Sequence, residues 1–269
     1  MKRLSVSLLI LLLTATVACA AEWERVADGV DYRRVTRGTI DVHITRIDLT
    51  APGIAVIASR PDDAGLTVSD FAKKNDAIAA INGDYFDEQH QPLGLSMSPC
   101  GVWTKGDPKL GRHQGLVGVG PGRAEIQNRT MKTRRWMRGG AVSGWPALII
   151  SCEPIRDLPG SDHFTRAPHP RTAVGLSKDG KTMYFVVADG RREGVPGLTL
   201  PELAAFMDEE LDACAAMNLD GGGSSAMWVR DRIVNKPSDP VERKVGNHLA
   251  VVRAGTRDVC DEHRRLTKD

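Results

Sequence analysis

The hydrophobic pattern of the N-terminal half predicts a strand–strand–helix–strand unit. Apolar and polar residues alternate at 40–44, and a second apolar run at 54–58 follows a Pro-Gly turn, so both segments are predicted to be strands. A helix is predicted to begin at Thr67, with Asp70 three residues later completing its cap. The apolar run at 77–81 then predicts a buried strand, which ends in the sequence Asn-Gly-Asp.

The same order of elements recurs in the C-terminal half. Strands are predicted at 172–176 and 183–188, a capped helix begins at Thr199, and a strand at 213–219 ends in Asn-Leu-Asp. The two copies share the cap pattern T-x-x-[D/E]-[F/L]-A and the strand end A-A-[I/M]-N-x-D. We therefore predict one α+β (mixed α/β) domain at 21–269, with a large mixed sheet flanked by helices and an internal duplication of this unit. Packed side by side, the two copies would bring both Asn-x-Asp ends to one junction, where ligands often bind.

The first 20 residues have the pattern of a secretory signal peptide. A basic start precedes an apolar run at 8–13, and Ala18-Cys19-Ala20 fits a cleavage site. Two alternatives stay open: a membrane anchor, for which the apolar run is short, and a lipoprotein cut before Cys19. The favoured interpretation predicts a secreted or periplasmic protein with no stable membrane span once the leader is removed.

The composition of the 269-residue chain narrows the possible functions. It is 41% hydrophobic, with 36 basic and 34 acidic residues, so it can bury a large core and carries almost no net charge. A mostly disordered chain is therefore excluded, and no nucleic-acid partner is expected because there is no general basic field.

Four cysteines remain after the leader. An even number in an exported protein predicts two disulfides, with three possible pairings. We favour Cys100–Cys152 and Cys214–Cys260. No C-x-x-C sequence occurs, so redox catalysis and a cysteine-held zinc are not expected.

The strongest chemical signal is the turn after the predicted strand at 213–219. Asp220 is followed by three glycines and two serines, a composition that lets backbone N–H groups approach a ligand and form a nest for phosphate oxygens. We predict Asp220 to be a catalytic carboxylate, with Gly221, Gly222 and Ser224 as substrate contacts. The motif is neither a Walker loop nor a dinucleotide motif. A flexible hairpin turn is the alternative.

A second acidic residue ends the other copy of the unit. Asp84 is the positional counterpart of Asp220, and two carboxylates are what glycosyl transfer to water requires. One would assist departure of the leaving group, and the other would attack the anomeric carbon or activate water. Asn82 is predicted to contact the substrate. The alternative is an Asx-turn, in which Asp84 caps backbone N–H groups.

Further charged and polar residues lie near other strand ends. Arg171 follows two prolines and can hold a phosphate bidentately, and neighbouring His169 is a weaker substrate-binding candidate. Asp189 and Arg191 follow a buried strand, as candidates for catalysis and substrate binding respectively. Asn247 opens the last apolar strand and is predicted to line the same cleft. A structural salt bridge or a solvated charged loop would explain the charged residues equally well.

No cofactor or metal motif is found. No HExxH pattern occurs, and the Asp220 turn does not follow the EF-hand pattern. A cluster of Asp84, Asp189 and Asp220 would nevertheless suffice for a divalent cation, so that possibility stays open.

Taken in order, these motifs resemble the phosphodiester glycosidases, the family of the lysosomal-pathway uncovering enzyme. The matching segments are NGDYF at 82–86, HPRTAVG at 169–175, ADGR at 188–191, LPEL at 200–203, NLDGGGSSAM at 218–227 and GNHLAVV at 246–252. The resemblance covers about 40–253 and implies a mixed α/β domain that hydrolyses a sugar joined through its anomeric carbon to a phosphodiester. The positions it carries over are Asn82, Asp84, Arg171, Asp189, Asp220, Gly221, Gly222, Ser224 and Asn247. Many relatives have Gly where Asp84 stands, so Asp220 is predicted to matter most.

Two other function classes stay open. An exported envelope protein could bind phosphorylated glycans, or act in exopolysaccharide assembly, without cleaving its ligand. An ordinary glycosidase would cleave glycans with no need for a phosphate. A glycan or a sugar-phosphodiester is the predicted partner in each case.

Overall fold

A computed structural model describes residues 22–106, 115–128 and 132–255. These residues form eighteen strands and three α-helices, with every strand pairing antiparallel. The predicted signal peptide and Cys260 lie outside the described residues. Within these ranges, no helix is long and apolar enough to cross a membrane.

The strands, numbered in chain order, form three sheets. The largest contains, in spatial order, β1 (Glu24–Ala27), β2 (Val30–Arg37), β3 (Ile40–Asp48), β14 (Thr182–Ala188), β13 (Arg171–Leu176), β15 (Ala215–Asn218), β11 (Ala147–Ile150) and β12 (Glu153–Pro154). The second contains β7 (Gly101–Lys105), β6 (Leu95–Ser98), β10 (Gly140–Gly144), β8 (Gly115–Gly120) and β9 (Arg123–Gln127). The third contains β17 (Arg232–Ile233), β16 (Met227–Val229), β5 (Ala77–Asn82), β18 (His248–Arg253) and β4 (Ile54–Ala58). The helices are α1 (Val68–Lys74), α2 (Asp162–Thr165) and α3 (Leu200–Leu211).

Both predicted helix starts are confirmed. The Thr67 hydroxyl caps α1 by accepting a hydrogen bond from the Asp70 N–H at 3.0 Å. Thr199 and Glu202 form a complete capping box at α3, with hydrogen bonds of 3.2 and 2.8 Å. These caps are readable from sequence because each involves groups only three residues apart.

The predicted α+β domain is confirmed only in part: helices cover two sheets, but the single large mixed sheet is wrong. The domain is mostly β, and its strands form three antiparallel sheets. Both copies of the predicted unit contain the expected elements, but they pair differently. β13 and β14 form a hairpin, whereas β3 pairs with β14 and β4 lies in the third sheet beside β18. Alternating hydrophobicity predicts that a segment is a strand, but it carries no information about which strand is its neighbour.

The main core lies among the three sheets. Ile47 of the first sheet, Val117 of the second and Leu249 of the third are all fully buried in it. Two smaller clusters form where α3 covers the largest sheet and where Phe71 of α1 packs on the third sheet. Full burial of each such aliphatic or aromatic side chain contributes about 1.5–3 kcal/mol. This packing supports the strand ends that carry the polar motifs.

The disulfide pairing differs from both pairs favoured from the sequence. Cys152, in the turn between β11 and β12, is bonded to Cys214, which immediately precedes β15. The Cys152 N–H also donates to the Cys214 carbonyl at 2.7 Å. Since β11 and β15 are neighbours in the largest sheet, the sheet register brings these two cysteines together. Cys100 is also disulfide-bonded, but not to Cys152, because the partner of Cys152 is Cys214.

Removal of the Cys152–Cys214 bond is expected to lower the free energy of unfolding by about 3–4 kcal/mol, because the bond closes a long loop in the unfolded chain. The sequence separation of the two cysteines is 62 residues. The test is urea unfolding of the Cys152→Ser/Cys214→Ser double variant beside the wild type, without reductant. A loss below about 1 kcal/mol would contradict the expectation.

Candidate active site

The ends of β5 and β15 meet, as the duplicated sequence pattern predicts. The Asp220 N–H donates to the Gly83 carbonyl at 3.0 Å, and the Asn82 side-chain amide donates to the Asp220 carbonyl at 2.7 Å. Asn82 is fully buried, and its Oδ1 accepts from the Thr172 hydroxyl at 2.8 Å. The Asn82 side chain therefore holds the two strand ends together, and no part of it is exposed to a ligand.

Asp84 is buried and uses both carboxylate oxygens within the protein. Oδ1 accepts from the Tyr85 N–H at 2.8 Å, and Oδ2 accepts from the Gly94 N–H at 2.7 Å. Asn247, also buried, accepts the Asp84 N–H at 2.6 Å and donates to the Ser96 hydroxyl at 2.7 Å. Burial, with a smaller contribution from the Asp220 charge, raises the pKa of Asp84 to about 7. Asp84 and Asn247 thus brace the segment after β5.

Asp220 is partly exposed at the start of the glycine turn. Its Oδ1 accepts from the Gly221 N–H at 2.9 Å. Burial raises the pKa of Asp220 to about 6, although the Ser224 hydrogen bond and the Arg243 charge act in the opposite direction. Of the two acids at this junction, Asp220 is the one whose carboxylate can meet a ligand.

The glycine turn makes room for arginine side chains. Its N–H groups at 221, 222, 224 and 225 are used inside the protein, so the turn is not an open nest for phosphate. Gly222 has φ +61°, and a Cβ there would lie 3.0 Å from Arg191 Nη2. A Cβ on Gly223 would collide with the side chains of Arg243 and Asp239. The glycines are required because two guanidinium groups lie against the backbone.

Arg171 is a buried cation held by carbonyl oxygens. Its Nε donates to the Leu198 carbonyl at 2.9 Å, and Nη2 donates to the carbonyls of Phe164 (2.7 Å) and Ala167 (3.1 Å). In the described part of the chain no carboxylate lies within 4.0 Å of it. Burial lowers the pKa of Arg171 to about 10, so it stays protonated at neutral pH. A buried positive charge without a carboxylate is suited to bind an anion.

Arg191 lies next to this cation on the exposed side of the turn. Its backbone has φ +56°, and its Nη2 is 3.4 Å from His169 Nδ1. His169 Nε2 lies 3.0 Å from the His163 carbonyl oxygen, and burial lowers the pKa of His169. Arg171, Arg191 and His169 therefore lie in one region, next to the glycine turn that follows Asp220.

An aromatic wall, defined here as Tyr85, Trp145 and Phe164, lies beside Arg171. The rings of Trp145 and Phe164 stack with centroids 4.9 Å apart, and the Tyr85 ring is 6.4 Å from Phe164. The Tyr85 hydroxyl donates to the Trp145 carbonyl at 2.8 Å and accepts from the Asn218 amide at 2.7 Å.

Sequence reasoning did not assign roles to four residues at this site. Tyr85 and Asn218 lie inside the motifs NGDYF and NLDGGGSSAM, so the sequence pattern could have pointed to them. Phe164 and Arg243 reach the site only through tertiary contacts, which no local pattern predicts.

Asp189 lies in a separate buried cluster. Its carboxylate accepts from the Arg192 guanidinium at 2.7 Å, the Lys236 N–H at 3.0 Å and the Asn235 amide at 3.1 Å. Arg192 also bridges to Asp41, and His43 Nε2 lies 3.7 Å from Asp189. The structure thus separates Asp189 from the Asp84–Asp220 pair and supplies partners to both of its oxygens.

The three acids considered for a divalent cation do not form one cluster. A different set, Asp41, His43 and Asp189, has ligand atoms within 4.8 Å of one another. Arg34 and Arg192 already pair with its two carboxylates, so the charge of this set is balanced without a cation. The described residues therefore give no electrostatic reason for a metal here.

The fold and the site define a class of protein. Its domain has three antiparallel sheets, and a partly exposed carboxylate ends one strand next to a turn that contacts an arginine for which the described residues provide no carboxylate partner. Residues 75–252 match the model of the phosphodiester glycosidase family, and the chain therefore belongs to that family.

Similar proteins are found among both sequences and structures. The chain is 36% identical over 105 residues to mouse N-acetylglucosamine-1-phosphodiester alpha-N-acetylglucosaminidase, covering 39% of this chain and 20% of that protein. It is also 36% identical over 193 residues to YomE, an uncharacterized SPbeta prophage-derived protein of Bacillus subtilis, covering 69% and 29%. A solved structure of the zebrafish form of the first enzyme contains its catalytic domain, auto-inhibited by the pro-peptide. This chain superposes on it with a TM-score of 0.66 at 20% sequence identity, and the match covers 89% of this chain and 85% of that one. This chain spans less than a third of the length of either sequence relative, and the structural match shows the fold alone.

Proposed function

We propose that this protein is exported and hydrolyses the bond between the anomeric carbon of a sugar and a phosphodiester oxygen. The observation that carries the proposal is Asp220, a partly exposed carboxylate beside Arg171 and Arg191. Membership of the phosphodiester glycosidase family supports the reaction class. The partial exposure of Asp220 leaves room for a ligand, and among the described residues neither arginine has a carboxylate partner within 4.0 Å, which supports a negatively charged substrate.

In the proposed reaction, Asp220 acts in its ionised form at the anomeric carbon, either by direct attack or by activating water. The bond between that carbon and the phosphate oxygen breaks, and the electron pair leaves with the oxygen. Water supplies the new hydroxyl on the sugar and, overall, one proton to solution. Because the departing phosphate monoester is a weak base, its departure needs little help from a general acid.

The arginines would stabilise the negative charge that remains on the leaving group. Arg171 is preorganised by three carbonyl oxygens, so little reorganisation is needed when charge develops nearby. Arg191 supplies a second cation from the exposed side. Asp84, whose oxygens are occupied by backbone N–H groups, would keep the strand end in place.

The test is incubation of the purified protein with a panel of sugar-1-phosphodiesters and matched simple glycosides, with and without a chelator, while free sugar is measured. Release from phosphodiesters only would support the proposal. Equal release from both classes would favour an ordinary glycosidase. Binding without release would favour a glycan-binding protein, and loss of release with chelator would indicate a required metal.

Arg191→Ala is expected to raise KM for a cleaved phosphodiester about tenfold or more, because one charge-assisted contact with the anion is lost. KM for any matched neutral glycoside should not change. Steady-state kinetics on both substrates measure the difference. The control is Arg156→Ala, which removes an exposed arginine outside the site. An equal effect on both substrates would contradict a phosphate contact.

A further inference from the structure

A chain of polar contacts leads from Asp220 away from the proposed anion site. Arg243 Nη1 donates to the Ser224 hydroxyl oxygen at 3.5 Å, and the Ser224 side chain in turn lowers the pKa of Asp220. Arg243 is in turn held by Asp239, with Nε and Nη2 donating to Oδ2 at 2.8 and 2.7 Å. The sequence analysis had selected neither Asp239 nor Arg243.

The fold fixes this arginine in place. The neighbouring Glu242 accepts hydrogen bonds from both the N–H and the hydroxyl of Ser69, in the first turn of α1. Val245 pairs with Leu66 through its N–H at 3.0 Å. Gly223 leaves the space that the Arg243 and Asp239 side chains occupy. Three separate features therefore place this guanidinium beside the turn.

We propose that Arg243 is a positioning residue for Asp220: oriented by Asp239 and acting through Ser224, it holds the carboxylate in place and supplies its counter-charge. The effect of Arg243 on catalysis rests on the proposed function of Asp220. It differs from the roles of Arg171 and Arg191, which would bind the substrate.

Other charged groups also face the junction of the two strand ends and contribute to the electrostatic potential there. Asp84 adds a negative charge from the end of β5, and Tyr85 lies next to it with a neutral hydroxyl. Arg171 at the start of β13 and Arg191 beside Gly222 add positive charge. Arg243 differs because its guanidinium contacts Ser224 in the glycine turn, and because its positive charge lowers the pKa of Asp220.

The experiment compares four forms of the protein: wild type, Arg243→Met, Asp239→Asn and the double variant. Loss of the cation should move the acidic limb of the kcat/KM profile, near pH 6 in the wild type, to higher pH by about 0.5–1 unit. Loss of the Asp239 charge should move it to lower pH, and the double variant should return close to the wild type. Arg243→Lys should restore part of the shift.

A direct titration separates this inference from the proposed function. Carboxyl ¹³C NMR follows the Asp220 signal, assigned by its loss in Asp220→Asn, and needs no substrate. Opposite shifts in the two single variants support the inference even if no substrate is cleaved. Shifts below about 0.2 unit, or shifts of the same sign, overturn it even if the enzyme is active. Arg230→Met, which removes an arginine paired with Glu24 on the surface, is the matched control and should leave the titration unchanged.

Discussion

Asp220→Asn is expected to lower kcat by about a thousandfold or more, since the amide cannot act as a nucleophile or a general base. Asp220 is the partly exposed acid at the strand junction, and the glycine turn that contacts Arg191 follows it directly. The amide keeps an oxygen that can accept the Gly221 N–H, so the fold should be retained. Turnover of a substrate found with the panel, together with circular dichroism and urea unfolding, measures both effects.

Asp231→Asn is the matched control, because it changes an exposed acid in the turn between β16 and β17 and should leave kcat unchanged. Asp84→Asn is the informative comparison. An amide cannot accept both of the N–H groups that the Asp84 carboxylate accepts, so this variant should lose about 1–3 kcal/mol of stability. Near-normal turnover in Asp220→Asn would refute the assignment of Asp220 as the reacting carboxylate.

Asp189→Ala is expected to reduce the free energy of unfolding by about 3–5 kcal/mol, the usual cost of removing one partner from a buried ion pair. The substitution would leave the Arg192 guanidinium without one carboxylate and the Lys236 N–H and Asn235 amide without acceptors. Urea denaturation measures the loss. A loss of stability of this size would assign Asp189 a structural role in place of the catalytic role predicted from the sequence.

Asp28→Ala is the control for this stability experiment. The Asp28 side chain is 97% exposed and forms a surface pair with Arg25, so its loss should cost less than about 1 kcal/mol. If Asp189→Ala retained wild-type stability and still abolished turnover, Asp189 would instead be part of the catalytic machinery.

The sequence by itself determined the local elements. The strand predicted at 54–58 and the caps at Thr67 and Thr199 are found as expected, because alternation and capping depend on residues only a few positions apart. The strands predicted at 77–81 and 213–219 are found at Ala77–Asn82 and Ala215–Asn218, and the predicted meeting of the segments that follow them is also found.

Only the tertiary structure decided how these elements and their side chains combine. The pairing of β3 with β14, and the disulfide from Cys152 to Cys214, depend on which strands become neighbours across long stretches of chain. Asp84 and Asp189 are both candidate catalytic acids by sequence, yet one is held by backbone N–H groups and the other by Arg192. These outcomes depend on burial and on interactions with residues distant in sequence. A local sequence pattern does not predict the energies of such interactions.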